Sequence, residues 1–194
     1  MSENTRVVGA LFLAAAALSL VTGTSVAGTD LLVYKCTVCH GVDGISTESV
    51  FPTVAGLPVS VQVDAIQGYR KGTRDCGPVP RMCKVSQNLT DDEIRAMAEY
   101  FAAKPFKPAE QPFDAALAAR GKHLHEDYCE VCHGDSPAHA EKGILHGQWA
   151  GYLRYSMSQY RTGQRAQPPS MRRATEALSE ADTEALVNYY ASYR

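Results

Sequence analysis

Apolar positions recur at helical spacing along most of this chain, and glycine, proline or a capping residue stands at nearly every break in the pattern. The clearest run begins with Thr90-Asp91-Asp92-Glu93, a capping box, and continues with Ile94, Met97, Ala98 and Phe101 at i, i+3, i+4 and i+7. One apolar stripe therefore faces a core until Lys104-Pro105 stops the helix. Upstream, Asp30 is placed to cap a short helix through Leu31, Leu32 and Tyr34, which Gly41 and Gly44 break. Phe51-Pro52 and Gly56-Leu57-Pro58 predict a loop, after which Val59, Val63, Ile66 and Tyr69 predict an amphipathic helix ended by Gly72. The stretch from Thr73 to Cys83 carries Gly77, Pro78 and Pro80 and predicts a loop that presents Met82.

The second half repeats this order. Asp114 opens a predicted helix through Leu117 to Leu124 that runs on into Cys129, and Gly134 breaks it. A second helix is predicted from Ile144 to Tyr160, a loop through Pro168-Pro169 presents Met171, and Ser179 begins a last helix with Leu186, Val187 and Tyr190 on one face. Two registers fix the repeat. Tyr69-Arg70-Lys71-Gly72-Thr73-Arg74 matches Tyr160-Arg161-Thr162-Gly163-Gln164-Arg165 at an offset of 91, and Met82 and Met171 each stand seven residues before a leucine. Pro105, Pro108 and Pro112 read as a semi-rigid linker that holds the halves apart. The expected fold is all-α, with tandem domains at 28–104 and 113–194 joined by 105–112.

Residues 1–27 read as a leader outside this fold. Arg6 gives a weakly positive start, Val7 to Val21 form an apolar core of 15 residues, and Ser25-Val26-Ala27 resembles a small-x-small cleavage site. Cleavage after Ala27 and export to the periplasm are expected, with an uncleaved anchor as the alternative. A net charge of −2 gives no reason to expect nucleic acid or an anionic membrane surface as a partner.

The chemistry lies in a five-residue phrase that occurs twice, Cys36-Thr37-Val38-Cys39-His40 and Cys129-Glu130-Val131-Cys132-His133. C-x-x-C-H is a c-type haem attachment pattern: two thiols a helical turn apart can add to the two vinyl groups, and the adjacent histidine then lies under the iron. Two covalently bound haem c groups are expected, on Cys36 and Cys39 and on Cys129 and Cys132, with His40 and His133 as proximal ligands. A redox C-x-x-C or half of a zinc site is the alternative for a lone copy. Met82 and Met171 occupy equivalent positions in the two halves and are the expected sixth ligands, whereas Met97 falls on an apolar stripe and Met157 aligns with Ile66, so both read as packing. Two filled axial positions leave no vacancy for a substrate, which predicts a carrier rather than an enzyme; a dihaem peroxidase would need an open iron. Arg74 and Arg165, in the repeated phrase, are candidates for the haem propionates. Cys76 and Cys83 remain, and in an oxidising compartment they are expected to form a disulfide, with iron binding or a free thiol as the other reading of Cys83.

These residues resemble a tandem of class I cytochrome c domains, each with C-x-x-C-H, a Tyr-Arg-x-Gly helix end, a ligand methionine and a capped last helix. A narrower likeness, to the dihaem subunit of flavocytochrome c sulfide dehydrogenase, is carried by the stretch from Tyr100 to Ala118. It is also carried by Leu124-His125-Glu126-Asp127-Tyr128-Cys129, Gly147-Gln148-Trp149 and Tyr152-Leu153-Arg154-Tyr155. That likeness implies an FAD-containing partner subunit that oxidises sulfide and passes electrons one at a time to this chain, which has no sulfide site of its own. A soluble or membrane electron acceptor would follow. The other reading is a free periplasmic shuttle between a respiratory donor and a terminal oxidase or reductase.

Overall fold

The computed structural model describes residues 27–76, 80–134 and 141–194; the predicted leader and His139 lie outside them. Among the described residues the regular structure is helical, without strands. It comprises α1 (Ala27–His40), a 3-10 turn (Val42–Gly44), α2 (Val59–Lys71), α3 (Arg81–Gln87), α4 (Asp91–Ala102), α5 (Ala115–Tyr128), α6 (Glu130–His133), α7 (Ala150–Arg161), α8 (Pro169–Ala177) and α9 (Glu180–Ala191). None of these helices is long and apolar enough to cross a membrane.

The capped helices are the frame of each half. The Thr90 hydroxyl accepts from the Glu93 amide while the Glu93 carboxylate accepts from the Thr90 amide at 2.7 Å, and Ile94, Met97, Ala98 and Phe101 behind that cap are all buried. α9 repeats the device with Ser179 and Asp182 and buries Leu186, Val187 and Tyr190, which join Leu153 and Leu178 in the second core. α5, capped by Asp114, lies along α9. Gly121 permits that approach, because a Cβ there would collide with the Ala185 carbonyl.

Several sequence expectations shift. Asp30 stands inside α1 rather than at its cap, since helical hydrogen bonding already begins at Ala27. Both methionines sit in the first turn of short helices, α3 and α8, and not on loops. Each of these helices has a proline at its N-cap, Pro80 and Pro168, whose fixed φ is compatible with helix entry. α7 begins at Ala150 rather than Ile144, because Gly147 turns the chain at φ 77°. α5 stops at Tyr128, and the second haem phrase starts a new helix, α6, after a bend at Cys129.

The halves are not held apart. The linker packs on the second half: the Ala109 amide donates to the Gly147 carbonyl at 2.8 Å, and Gln111 spans the Gln148 carbonyl and the Ala150 amide at 2.8 Å each. A seam then joins the halves directly. The buried Gln148 carboxamide donates to the Thr53 carbonyl at 2.7 Å and accepts from the Thr53 amide at 3.1 Å. Trp149 donates to the Ser46 carbonyl at 2.9 Å, and the Tyr152 amide to the Ser49 carbonyl at 2.7 Å. Backbone at 73–75 and 164–166 pairs as an antiparallel bridge, Asp75 donating to the Gln164 carbonyl and Ala166 to the Thr73 carbonyl at 2.8 Å each. Proline stiffness extends the linker locally, but polar groups from both halves need partners, and the seam supplies them.

Candidate cofactor site

A cavity of about 350 Å³ opens in the first half between α1, α2, α3 and α4. Its wall is apolar for most of its extent, with Leu57, Val61, Ile66, Val85, Leu89 and Phe101, and Cys36, Cys39, His40 and Met82 all reach it. Two thiols, an imidazole and a thioether on one apolar cavity of this size are the donor set and the setting of a ligated cofactor.

His40 is oriented for that role. Its Nδ1 lies 2.9 Å from the Pro52 carbonyl, so Nδ1 carries the proton and Nε2 is left with its lone pair free for a metal. Burial lowers its pKa, against the Pro52 bond and helped by Arg74, which keeps the ring neutral. The Cys36 sulfur lies 3.6 Å from the Leu32 carbonyl and 3.3 Å from the sulfur of Met97, which is buried and also lines the cavity. Burial pushes the Cys36 thiol up to about 11 and raises Cys129 as well, the opposite of an activated redox thiolate. Among the described residues no group of three or more His, Cys, Asp or Glu side chains could hold a metal ion, so the zinc alternative lacks a ligand set there.

The cavity closes against the second half, and there the charges gather. Arg74 is 5% exposed, with its guanidinium 4.4 Å above the Tyr69 ring; Arg165 stands 4.5 Å above Tyr160, the same arrangement one repeat later. Arg74 donates to the Tyr152 hydroxyl at 3.4 Å, yet its Nε is buried without a hydrogen-bond partner. A buried guanidinium normally requires an anion. The carboxylates of a haem held by these thiols and this imidazole would supply one, so the group fits the residues present.

Tyr152 was not among the sequence candidates. It belongs to α7 of the second half but lines the first half's cavity with Tyr155 and Arg165. Burial alone would raise its phenol, but Arg74 and Arg165 on either side outweigh that and pull it down to about 7. Its one sequence signal is a broken repeat: at the offset of 91 its counterpart is Val61.

The second donor set is distributed differently. Cys129 packs half-buried against the core around Tyr190, Cys132 is exposed, His133 ends α6, and Met171 lies half-buried in the first turn of α8. Tyr190, the counterpart of Phe101 in the register of the capped helices, is hydrogen-bonded through its hydroxyl to His125 at 2.9 Å. His125 is thereby part of the buried framework, His146 stacks on Tyr193 at 4.1 Å, and His123 is exposed beside Glu126. Cys76 and Cys83 are joined by a disulfide.

Comparison with known proteins agrees with this architecture. Residues 116–189 match the family described as cytochrome C oxidase, cbb3-type, subunit III. Cytochrome c-554(548) of Halomonas halodenitrificans is 30% identical over 82 residues, 42% of this chain and 98% of that protein. A protein of Stutzerimonas stutzeri described as a thiosulfate dehydrogenase electron acceptor is 35% identical over 68 residues, 35% of this chain and 32% of its own length. The crystal structure of reduced recombinant cytochrome c4 from Pseudomonas stutzeri superposes with a TM-score of 0.72 at 27% identity, covering 89% of this chain and all of that one. With two haem phrases in a tandem helical fold, the chain belongs to the class I cytochromes c and is a dihaem, cytochrome c4-like electron-transfer protein carrying two covalent haem c groups.

Proposed function

We propose that this chain is the periplasmic haem subunit that accepts electrons from an FAD-containing sulfide dehydrogenase subunit and relays them to a soluble or membrane acceptor. The domains are 28–104 and 113–194, with 105–112 between them, and cleavage after Ala27 releases the exported protein. Cys36 and Cys39 attach the first haem, with His40 and Met82 on its iron; Cys129 and Cys132 attach the second, with His133 and Met171. Bound haem c supplies reversible one-electron chemistry. The chain's own residues bury it, orient the histidines, fill both axial positions and place Arg74 and Arg165 at the propionates.

The observation that carries the relay is the seam. Arg74 and Arg165 face each other across one antiparallel bridge, and Tyr152 and Arg165 of the second half reach the cavity of the first. The two arginines proposed for the propionates thus meet at a single contact, which supports a short path for electron exchange. The flavin partner is supported by the likeness of the 100–118, 124–129, 147–149 and 152–155 stretches, and the match to a thiosulfate dehydrogenase electron acceptor supports a donor in sulfur oxidation. End-to-end likeness to cytochrome c4 supports the second reading, a free shuttle.

The test is the visible spectrum of the protein purified under mild conditions from its native periplasm, before and after sulfide. A flavin band co-eluting with the haem bands, and haem reduction on adding sulfide, is the expected result. Haem bands alone, reduced no faster than those of an unrelated cytochrome c, would leave the free shuttle.

A further inference from the structure

We propose that the Cys76–Cys83 disulfide is the positioning bond for Met82, holding it at the first haem iron, and that the second site does the same work without covalent chemistry. The inference rests on the reading of Met82 as the sixth ligand. α3 has only seven residues and no side-chain cap, far below the ~12–15 residues at which a helix is even marginal alone, so tertiary ties fix where it sits. One tie is the disulfide, which joins Cys83, the residue after Met82, to Cys76. Cys76 is itself 9% exposed and lines the same cavity as Met82. Cys76 follows Asp75, whose amide donates to the Gln164 carbonyl at 2.8 Å and whose carbonyl accepts from Gln159 at 2.5 Å. Met82 is thus linked covalently to the backbone that the seam immobilises.

The second half shows what the bond replaces. At the repeat offset Cys76 corresponds to Gln167, which donates to the Tyr160 carbonyl at 2.9 Å and accepts from the Thr175 hydroxyl at 3.2 Å. The Thr175 hydroxyl also lies 3.0 Å from the Arg172 carbonyl, the alternative acceptor for its one proton, as Ser86 lies 3.1 Å from the Cys83 carbonyl. The same loop-to-helix connection is a hydrogen-bonded glutamine in one half and a disulfide in the other. Only the first site therefore answers to thiol chemistry: a dithiol gives up two electrons and two protons, leaves as its own disulfide, and frees the Cys76 and Cys83 thiols with α3 untied.

The experiment compares the full dihaem protein with C76S/C83S, C76Q/C83S and Met82→Ala. In the oxidised state the weak far-red band of methionine-ligated ferric haem should fall by half in C76S/C83S. One of the two reduction potentials should drop while the other stays, and the reduced protein should gain carbon monoxide binding at one haem. C76Q/C83S, which copies Gln167, should restore part of the band. If C76S/C83S accumulates poorly, folded wild-type protein is treated with a water-soluble phosphine, which takes an oxygen from water as the disulfide opens to two thiols, and the thiols are alkylated before the same measurements. An unchanged band and unchanged potentials after loss of the disulfide overturn the positioning role while Met82→Ala still removes half the band. An unchanged band in Met82→Ala overturns the ligand reading and the proposal with it.

Discussion

Replacing Gln148 by alanine tests whether the seam is a structural joint. The Gln148 side chain is 2% exposed and bonds both backbone groups of Thr53, which is itself 1% exposed, at 2.7 and 3.1 Å. Truncation leaves a buried N–H and a buried C=O without partners, each at a cost of about 1–3 kcal/mol. A water entering the vacated polar space offsets part of this, so a net loss of ~2–4 kcal/mol is expected. Gln148 also anchors the linker through its carbonyl, but that bond to Gln111 is made by backbone and survives the change. The assay is guanidinium unfolding of the oxidised dihaem protein followed by circular dichroism. At a slope of roughly 4 kcal/mol/M the midpoint should fall by ~0.5–1 M, and the transition should split as the halves lose their coupling. Gln67→Ala is the control, since the half-buried Gln67 accepts a solvent-exposed hydrogen bond from Lys71 within its own helix. A change in Gln148→Ala no larger than the control's, under ~0.5 kcal/mol, refutes the claim that these two bonds hold the halves together.

Two further outcomes follow. Met171→His should lower the potential of one haem by tenths of a volt, within the range of about 0.8 V that axial ligands span, and leave the other nearly unchanged in a spectroelectrochemical titration; no shift would mean that another residue binds that iron. The Arg154 guanidinium, donating two hydrogen bonds to the Glu184 carboxylate, holds that carboxyl below its ordinary value of 4.5, so the unfolded state binds more protons than the folded one as pH falls below it. The stability this contributes is complete above that value and is lost as pH falls towards the depressed one. Acid unfolding followed by circular dichroism should therefore have a shallower slope below about 4.5 in Arg154→Ala than in the parent protein, and identical slopes would contradict it.

The local devices were legible because each depends on a few neighbouring residues. The capping boxes at Thr90 and Ser179, the apolar stripe of α4 and the paired C-x-x-C-H phrases are contained in short windows, and α4 and α9 stand where the pattern placed them. The seam was not legible, because it is made by groups far apart in the chain. Gln148 and Thr53 are 95 residues apart, and a glutamine that bonds backbone leaves no pattern of its own. The linker prolines pointed to stiffness but not direction, and the turn at Gly147, which shortens α7, serves to aim Gln148 and Trp149 at the first half. Likewise, α3 and α8 were read as loops because their prolines dominate the local signal, while the burial of Ser86 and Thr175 that holds them is tertiary.

The repeat is faithful in backbone and unfaithful in polar groups, and the differences concentrate where the halves meet. Arg74 over Tyr69 and Arg165 over Tyr160 are copies, and the 73–75 and 164–166 segments pair as a near two-fold would require. Yet Tyr152 faces a cavity in the first half without a reciprocal phenol, since its counterpart is Val61, and Gln159 stands where the first half has Gly68. The second half thus contributes the Gln148, Trp149 and Gln159 side chains to the seam where the first contributes the Thr53, Ser46 and Asp75 carbonyls. Two sites with identical surroundings would hold their electrons equally well, and a relay between them would have no preferred end. A phenol drawn to about 7 by two guanidiniums beside one site, and a methionine tied by a disulfide in one half only, make the two environments different in charge and in ligand restraint. Repetition supplies a pair of cofactor sites, and the unequal residues at the seam make their two surroundings different.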